Sequence, residues 1–221
     1  MIFFKTTIMK FLNTTIITGV FLLFNACKQA SKLPAIQPDI ITEKTANDSD
    51  DPAIWVNKTN PNESIVFGTD KETNGGIYAF NLDGKIITDK CIKNIKRPNN
   101  IDLAYDFQLN DSTKTDVIIF TERELQQIRM FSVPDMNPID NGGFKVFTDT
   151  TIPEHNLPMG VALYKSPTTQ KLFAIVSRKA GPKKNYLYQY EISSTSNKPT
   201  CTLIRKFGNF SEKKEIEAIA V

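Results

Sequence analysis

Short apolar runs separated by polar turn residues recur along this chain from about residue 45 onward. Ile65-Val66-Phe67, Val117-Ile118-Ile119-Phe120 and Leu172-Phe173-Ala174-Ile175-Val176 are flanked by turn formers, and each precedes an aromatic-rich strand. Those partners are Ile77 to Phe80, Ile128 to Phe131 and Tyr186 to Tyr190. An earlier strand stands before each run, at Ala53 to Val56, Ile101 to Tyr105 and Gly160 to Tyr164. A fourth closes each unit, near Ile86 to Ile92, Phe144 to Phe147 and Cys201 to Phe207. Val66 and Ile118 are 52 residues apart, and Ile118 and Ala174 are 56 apart. Four strands repeating at such a period are the mark of a β-propeller blade. The second strands are apolar on both faces, as sheets stacked between two neighbours must be. A sandwich, the alternative all-β arrangement, would alternate more cleanly. The expectation is an all-β fold of about three blades plus the first strand of a fourth, at Glu215 to Val221. Thr121 to Gln127, the only helix-like stretch, reads as a loop. Three blades and a strand do not close a ring and leave an apolar face uncovered, so a partial sequence is expected.

Composition changes this picture little. The 221 residues are 40% hydrophobic and 23% charged, with a formal charge of +3. Without Lys5 and Lys10 the balance is 25 basic to 24 acidic residues, so no nucleic-acid partner is expected. Those two lysines, the apolar run Ile16 to Phe24 and the closing Ala26-Cys27 form an export signal. The run is well short of the roughly 20 apolar residues a membrane span needs. Phe24-Asn25-Ala26-Cys27 resembles the bacterial lipobox, in which the cysteine is lipidated. Residues 1–26 are therefore expected as a lipoprotein signal peptide, 27–44 as a tether and 45–221 as the propeller part. The protein would be exported and held to a membrane through Cys27, on the periplasmic or cell-surface side. Cys91 and Cys201, able to pair in an oxidising compartment, fall on outer strands of different repeats and are expected as two free, half-buried thiols. His155 is the sole histidine and zinc-type spacings are absent, which leaves histidine-based phosphatase or protease chemistry little to work with. His155 itself is expected in a solvated turn.

The candidate chemistry sits before the first strand of each repeat. Asp50-Asp51-Pro52 places two repelling carboxylates beside a residue that offers a carbonyl and no N–H. Arg97-Pro98-Asn99-Asn100-Ile101-Asp102 holds the matching place in the second repeat, Leu157-Pro158-Met159-Gly160 in the third and Glu215-Ile216-Glu217 in the fourth. Corners presenting Asp, Asn and Glu oxygens without His or Cys select calcium or magnesium over zinc. Each corner taken singly is equally an ordinary solvated turn. Thr69-Asp70-Lys71, Thr121-Glu122-Arg123 and Ser177-Arg178-Lys179 end the second strands and put three cations at one rim. Arginine is the bidentate phosphate partner and lysine a point charge.

Asp50 to Trp55, Thr69-Asp70-Lys71, Tyr78 to Gly84 and Asn99 to Phe107 together resemble the β-propeller phytases, a six-bladed family, over residues 45 to 221. The likeness continues through Tyr186 to Ile192 and Glu215 to Ala220, and covers the first half of that fold. It implies calcium-dependent hydrolysis of phosphate monoesters of myo-inositol hexakisphosphate, as a 3-phytase. By matched position it implies a structural calcium held by the Asp51 side chain and the Pro52 and Ile101 carbonyls. It implies Glu217 as the catalytic-site carboxylate that binds calcium, and Lys71, Arg123 and Lys179 as phosphate contacts. Three positions depart from the family: Met159 stands for a metal-binding Tyr, Ala180 for an acidic residue and Ala104 for an Arg. Two rival expectations are a non-catalytic propeller lipoprotein that binds a glycan, peptide or protein partner, and a propeller lactonase or esterase.

Overall fold

A computed structural model describes residues 33–221 of the chain. The expected signal peptide, its expected cleavage point and Cys27 lie outside the described residues. Residues 40–221 form one compact unit, and the described part of the other, residues 33–39, carries no strand or helix. Among the described residues no helix is long and apolar enough to cross a membrane.

The compact unit is three four-stranded antiparallel sheets, each a meander in chain order. The first holds β1 (Ser49–Trp55), β2 (Ile65–Asp70), β3 (Gly75–Phe80) and β4 (Ile92–Ile95). The second holds β5 (Pro98–Gln108), β6 (Lys114–Glu122), β7 (Gln127–Val133) and β8 (Phe144–Lys145). The third holds β9 (Pro158–Lys165), β10 (Leu172–Arg178), β11 (Lys184–Thr195) and β12 (Lys198–Asn209). The first strands β1, β5 and β9 adjoin one another in that order, which is a propeller-like arrangement.

Strand periodicity builds the two cores. Along β6, Val117 and Ile119 point into the core shared with the third sheet, while Ile118 and Phe120 point into the core shared with the first. Along β7, Ile128 and Met130 take the first direction and Phe131 and Val133 the second. The middle sheet is therefore buried on both faces, as the unbroken apolar run of β6 required. The outer two are buried on one face only: Val66 and Gly68, Phe173 and Ile175 are half-buried where their neighbours are wholly covered.

The outermost strands depart most from expectation. A 3₁₀ turn at Thr88–Lys90 delays β4 to Ile92–Ile95, leaving Ile86 with an isolated bridge to Phe80. β8 is two residues long, although Val146 and Phe147 beyond it are core residues. β12 is long because Ser196 and Asn197, both at positive φ, make a two-residue hairpin turn that matches strand twist. Glu215 to Val221, expected as a strand, forms none. A strand needs a ladder partner, and among the described residues this segment has only side-chain and steric contacts with its neighbours. Of Thr121 to Gln127, expected as a loop, residues 123–126 form the turn, while Thr121 and Glu122 end β6 and Gln127 opens β7. Both cysteines are free and half-buried, and burial pushes the Cys201 thiol up to about 12. His155 is half-buried rather than solvated, and its carbonyl accepts a hydrogen bond from Arg178 at 3.1 Å.

Candidate functional site

Among the register shifts of the sheets, one between the first and second strands recurs at the same place in all three. On β1 the shift lies between Ser49 and Pro52, opposite Asp70 and Gly68. On β5 it lies between Pro98 and Ile101, and on β9 between Pro158 and Val161, opposite Arg178 and Val176. Each slip is a bulge that sets two residues against one of the second strand, and bulges commonly re-aim side chains at functional sites. The bulged pairs are Asp50-Asp51, Asn99-Asn100 and Met159-Gly160. These are the corners that carry the candidate chemistry.

The corners meet through hydrogen bonds that cross from sheet to sheet. Asp51 accepts from the Ile101 N–H at 3.1 Å, and Asn100 donates to Asp51 as well. Asn99 donates to Asn100 at 2.8 Å and reaches Glu217 at 3.4 Å. Arg123 donates to Asn99 Oδ1, so one chain of contacts runs from Arg123 through Asn99 to Glu217. Asp51, Asn100 and Glu217 are thus linked through Ile101 and Asn99 by hydrogen bonds. A recess of about 360 Å³ beside them is lined by Asp51, Asn100, Ile101, Asp102, Val161 and residues 218–221 among others.

The three rim cations leave the ends of β2, β6 and β10 at equivalent points. Lys71 pairs with Asp50 at 2.8 Å and Lys179 pairs with Glu215. Arg123 is buried, with Nε lacking any partner. Burial and the nearby Arg97 guanidinium lower its pKa, while Glu217, Asp50 and Glu215 work against that. Three carboxylates from two corners therefore act on one guanidinium. Met159 fills the side of Arg123 with its thioether and supplies no side-chain oxygen. Ala104 is a core residue between the second and third sheets, paired with Val117 and away from the rim.

Sequence reasoning missed two groups. Arg97, in the left-handed region at φ 58, bridges the sheets by donating its N–H to Glu72 and accepting from the Arg123 N–H. The hydroxyls Thr69, Thr121 and Ser177 are wholly buried behind the corners. Their signal was available, a hydroxyl two residues before each rim cation.

Among the described residues no three Asp, Glu, His or Cys side chains gather as a ready metal cluster. The implied structural set is one carboxylate with two main-chain carbonyls, and its surroundings fit a hard cation. Burial raises the pKa of Asp51, with the charges of Asp50 and Asp102 adding to it, and burial raises that of Asp102. Among the described residues neither carboxylate pairs with a lysine or arginine. Oxygen donors under mutual repulsion in a half-buried channel are the environment a calcium ion relieves.

A second acidic group, Asp149, lies away from the corners. It accepts from Tyr188 at 2.6 Å and from Lys206, and Arg178 stands at 3.8 Å. Burial pushes its pKa up, but the Lys206 and Tyr188 hydrogen bonds outweigh this and hold it below its usual 3.8. An acid lowered in the fold stabilises above its unfolded value and loses that contribution as pH falls through its folded value. Asp149→Asn should flatten the acid limb of melting midpoint against pH below 3.8 and leave the slope above it unchanged. An unaltered acid limb would show that Asp149 is not a contributor.

The sequence model of the family described as Phytase matches residues 3–216. Over 146 residues the chain is 32% identical to the 3-phytase of Bacillus subtilis (strain 168), a stretch that is 62% of this chain and 35% of that protein. This chain belongs to the phytase family. It spans about a third of the length of that relative.

Proposed function

We propose that this chain forms the calcium- and phosphate-binding part of an enzyme that hydrolyses phosphate monoesters of myo-inositol hexakisphosphate. The observation that supports the reading is the contact chain from Arg123 through Asn99 to Glu217, which links a rim guanidinium to a carboxylate. Lys71, Arg123 and Lys179 would grip the phosphate, with Arg123 offering the fork geometry that suits two of its oxygens. Asp50 and Glu217 lie among these cations, where their carboxylates offset the like-charge repulsion along the rim. Asp51 with the Pro52 and Ile101 carbonyls would hold one calcium behind the corner, and Glu217 a second beside the recess. Calcium so placed supplies charge neutralisation and activation of a water toward phosphorus. The Asp50–Lys71 and Glu215–Lys179 pairs must open or share their cation when phosphate arrives, since each lysine is already engaged. The three sheets would make half of a six-bladed ring. Cys27 is proposed as the lipidated residue that holds the protein to a membrane.

Calcium removal tests the reading. A chelator should abolish phosphate release from phytate and lower the melting midpoint, and calcium should restore both where magnesium does not. At a calcium concentration about 100 times the dissociation constant, the stabilisation should be roughly 2.7 kcal/mol. No phosphate release at any calcium concentration would sink the proposal.

A further inference from the structure

The three buried hydroxyls behind the corners make one repeated device. Thr69 Oγ1 accepts from the Asp51 N–H at 3.0 Å, Thr121 Oγ1 from the Asn100 N–H at 3.2 Å, and Ser177 Oγ from the Gly160 N–H at 2.8 Å. Each therefore satisfies the backbone N–H that the bulge in its own sheet takes out of the ladder. Two of the three, Thr121 and Ser177, also donate forward. Thr121 donates to the Met159 carbonyl at 3.0 Å, in the corner of the following sheet. Ser177 donates to the Ile216 carbonyl at 2.5 Å.

This forward bond matters most at the third position. Met159 is the first residue of its bulge pair, so the match of Ile216 to Met159 sets Glu217 level with Gly160, Asn100 and Asp51. Unlike those three, Glu217 lies in a segment without a strand ladder. Its place depends on a few contacts: Lys179 on Glu215, Ser177 on the Ile216 carbonyl and Asn99 on the Glu217 side chain. Gly160 supplies the floor, because a Cβ there would overlap the Glu217 carbonyl oxygen.

We propose that Ser177 is the positioning residue for Glu217, tying the acid beside the recess to the strand that carries Lys179. The role rests on the phosphatase reading of Glu217 given above. A hydroxyl is needed because one atom must accept from Gly160 and donate to Ile216 at once. Alanine leaves both buried backbone groups without that partner. Threonine keeps both bonds, as Thr121 shows in the equivalent place.

Ser177→Ala, Ser177→Thr and Gly160→Ala test this in the intact protein, with Ile192→Val, in the core at the far end of the third sheet, as the measure of lost stability alone. Phytate kinetics and amide hydrogen exchange over residues 213–221 are read for each. Ser177→Ala should lower kcat by about 10- to 100-fold, the usual size for a residue that orients a metal-binding group. KM should move far less, and exchange in residues 213–221 should quicken. Ser177→Thr should restore both readouts. Gly160→Ala should reproduce the Ser177→Ala pattern, because its Cβ would overlap the Glu217 carbonyl oxygen and crowd the Ser177 hydroxyl at 3.0 Å. A Ser177→Ala protein with unchanged kcat, or Ile192→Val showing an equal kcat loss, would overturn the role. If the unaltered protein releases no phosphate, the function proposal fails and exchange alone decides the positioning. Quickened exchange reversed by threonine then supports it, and unchanged exchange refutes it.

Discussion

Arg123→Ala should cut kcat/KM for phytate by about 10²- to 10³-fold, the loss seen when one preorganised donor to a charged transition state is removed. Three observations set that size. Arg123 is buried, so its charge acts in a poorly screened place. It stands at the end of β6 among Asp50, Glu215 and Glu217. Its Nε has no protein partner, which leaves donor capacity for a ligand. Arg123→Lys should recover only part of the activity, because a point charge does not reproduce the planar fork. The melting midpoint should change little, since a buried guanidinium with an orphaned N–H adds little net stability. Steady-state kinetics across phytate concentration check this. A kcat/KM within threefold of the unaltered protein would remove Arg123 from the phosphate site.

The largest stability effect should come from Asp140→Ala. Asp140 is buried and holds Arg129 Nε at 2.6 Å, while its oxygens also accept from the Met130 and Gly142 N–H groups at 2.8 and 3.0 Å. Arg129 reaches Glu122 at 3.5 Å, and Glu122 accepts from Gln127 at 2.6 Å and from the Lys96 N–H at 2.8 Å. Removing one partner of such a buried network leaves charge and backbone groups unpaired, at a cost of about 3 kcal/mol or more. For a unit of this size that is a fall of roughly 6–12 °C in melting midpoint. Asp140→Asn, which keeps acceptor and shape, should lose distinctly less. Because Glu122 also holds Lys96 beside Arg97, the alanine variant should loosen the rim as well as the sheet. Calorimetry of both variants measures the difference. Equal midpoints for alanine and the unaltered chain would show the network to be worth nothing net.

How far this molecule was legible beforehand differs from element to element. Val117 to Phe120 revealed a strand buried on both faces because four consecutive apolar residues satisfy two cores at once. Lys71, Arg123 and Lys179 were legible as one rim because each follows the same strand in its repeat. β4 and β8 were placed poorly, since outer strands of two to four residues carry too little pattern to mark their bounds. Glu215 to Val221 looks like a strand in composition, yet composition does not supply a ladder partner.

The sequence alone determined the all-β class, the repeated unit and which residue types end each second strand, because side-chain alternation is a local property of the chain. Only the tertiary structure decided the bulges at Asp50-Asp51, Asn99-Asn100 and Met159-Gly160, the hydroxyl behind each, and the seat of Glu217. Those follow from register and from contacts between sheets some 50 residues apart, which depend on how strands pair and not on what any one strand contains.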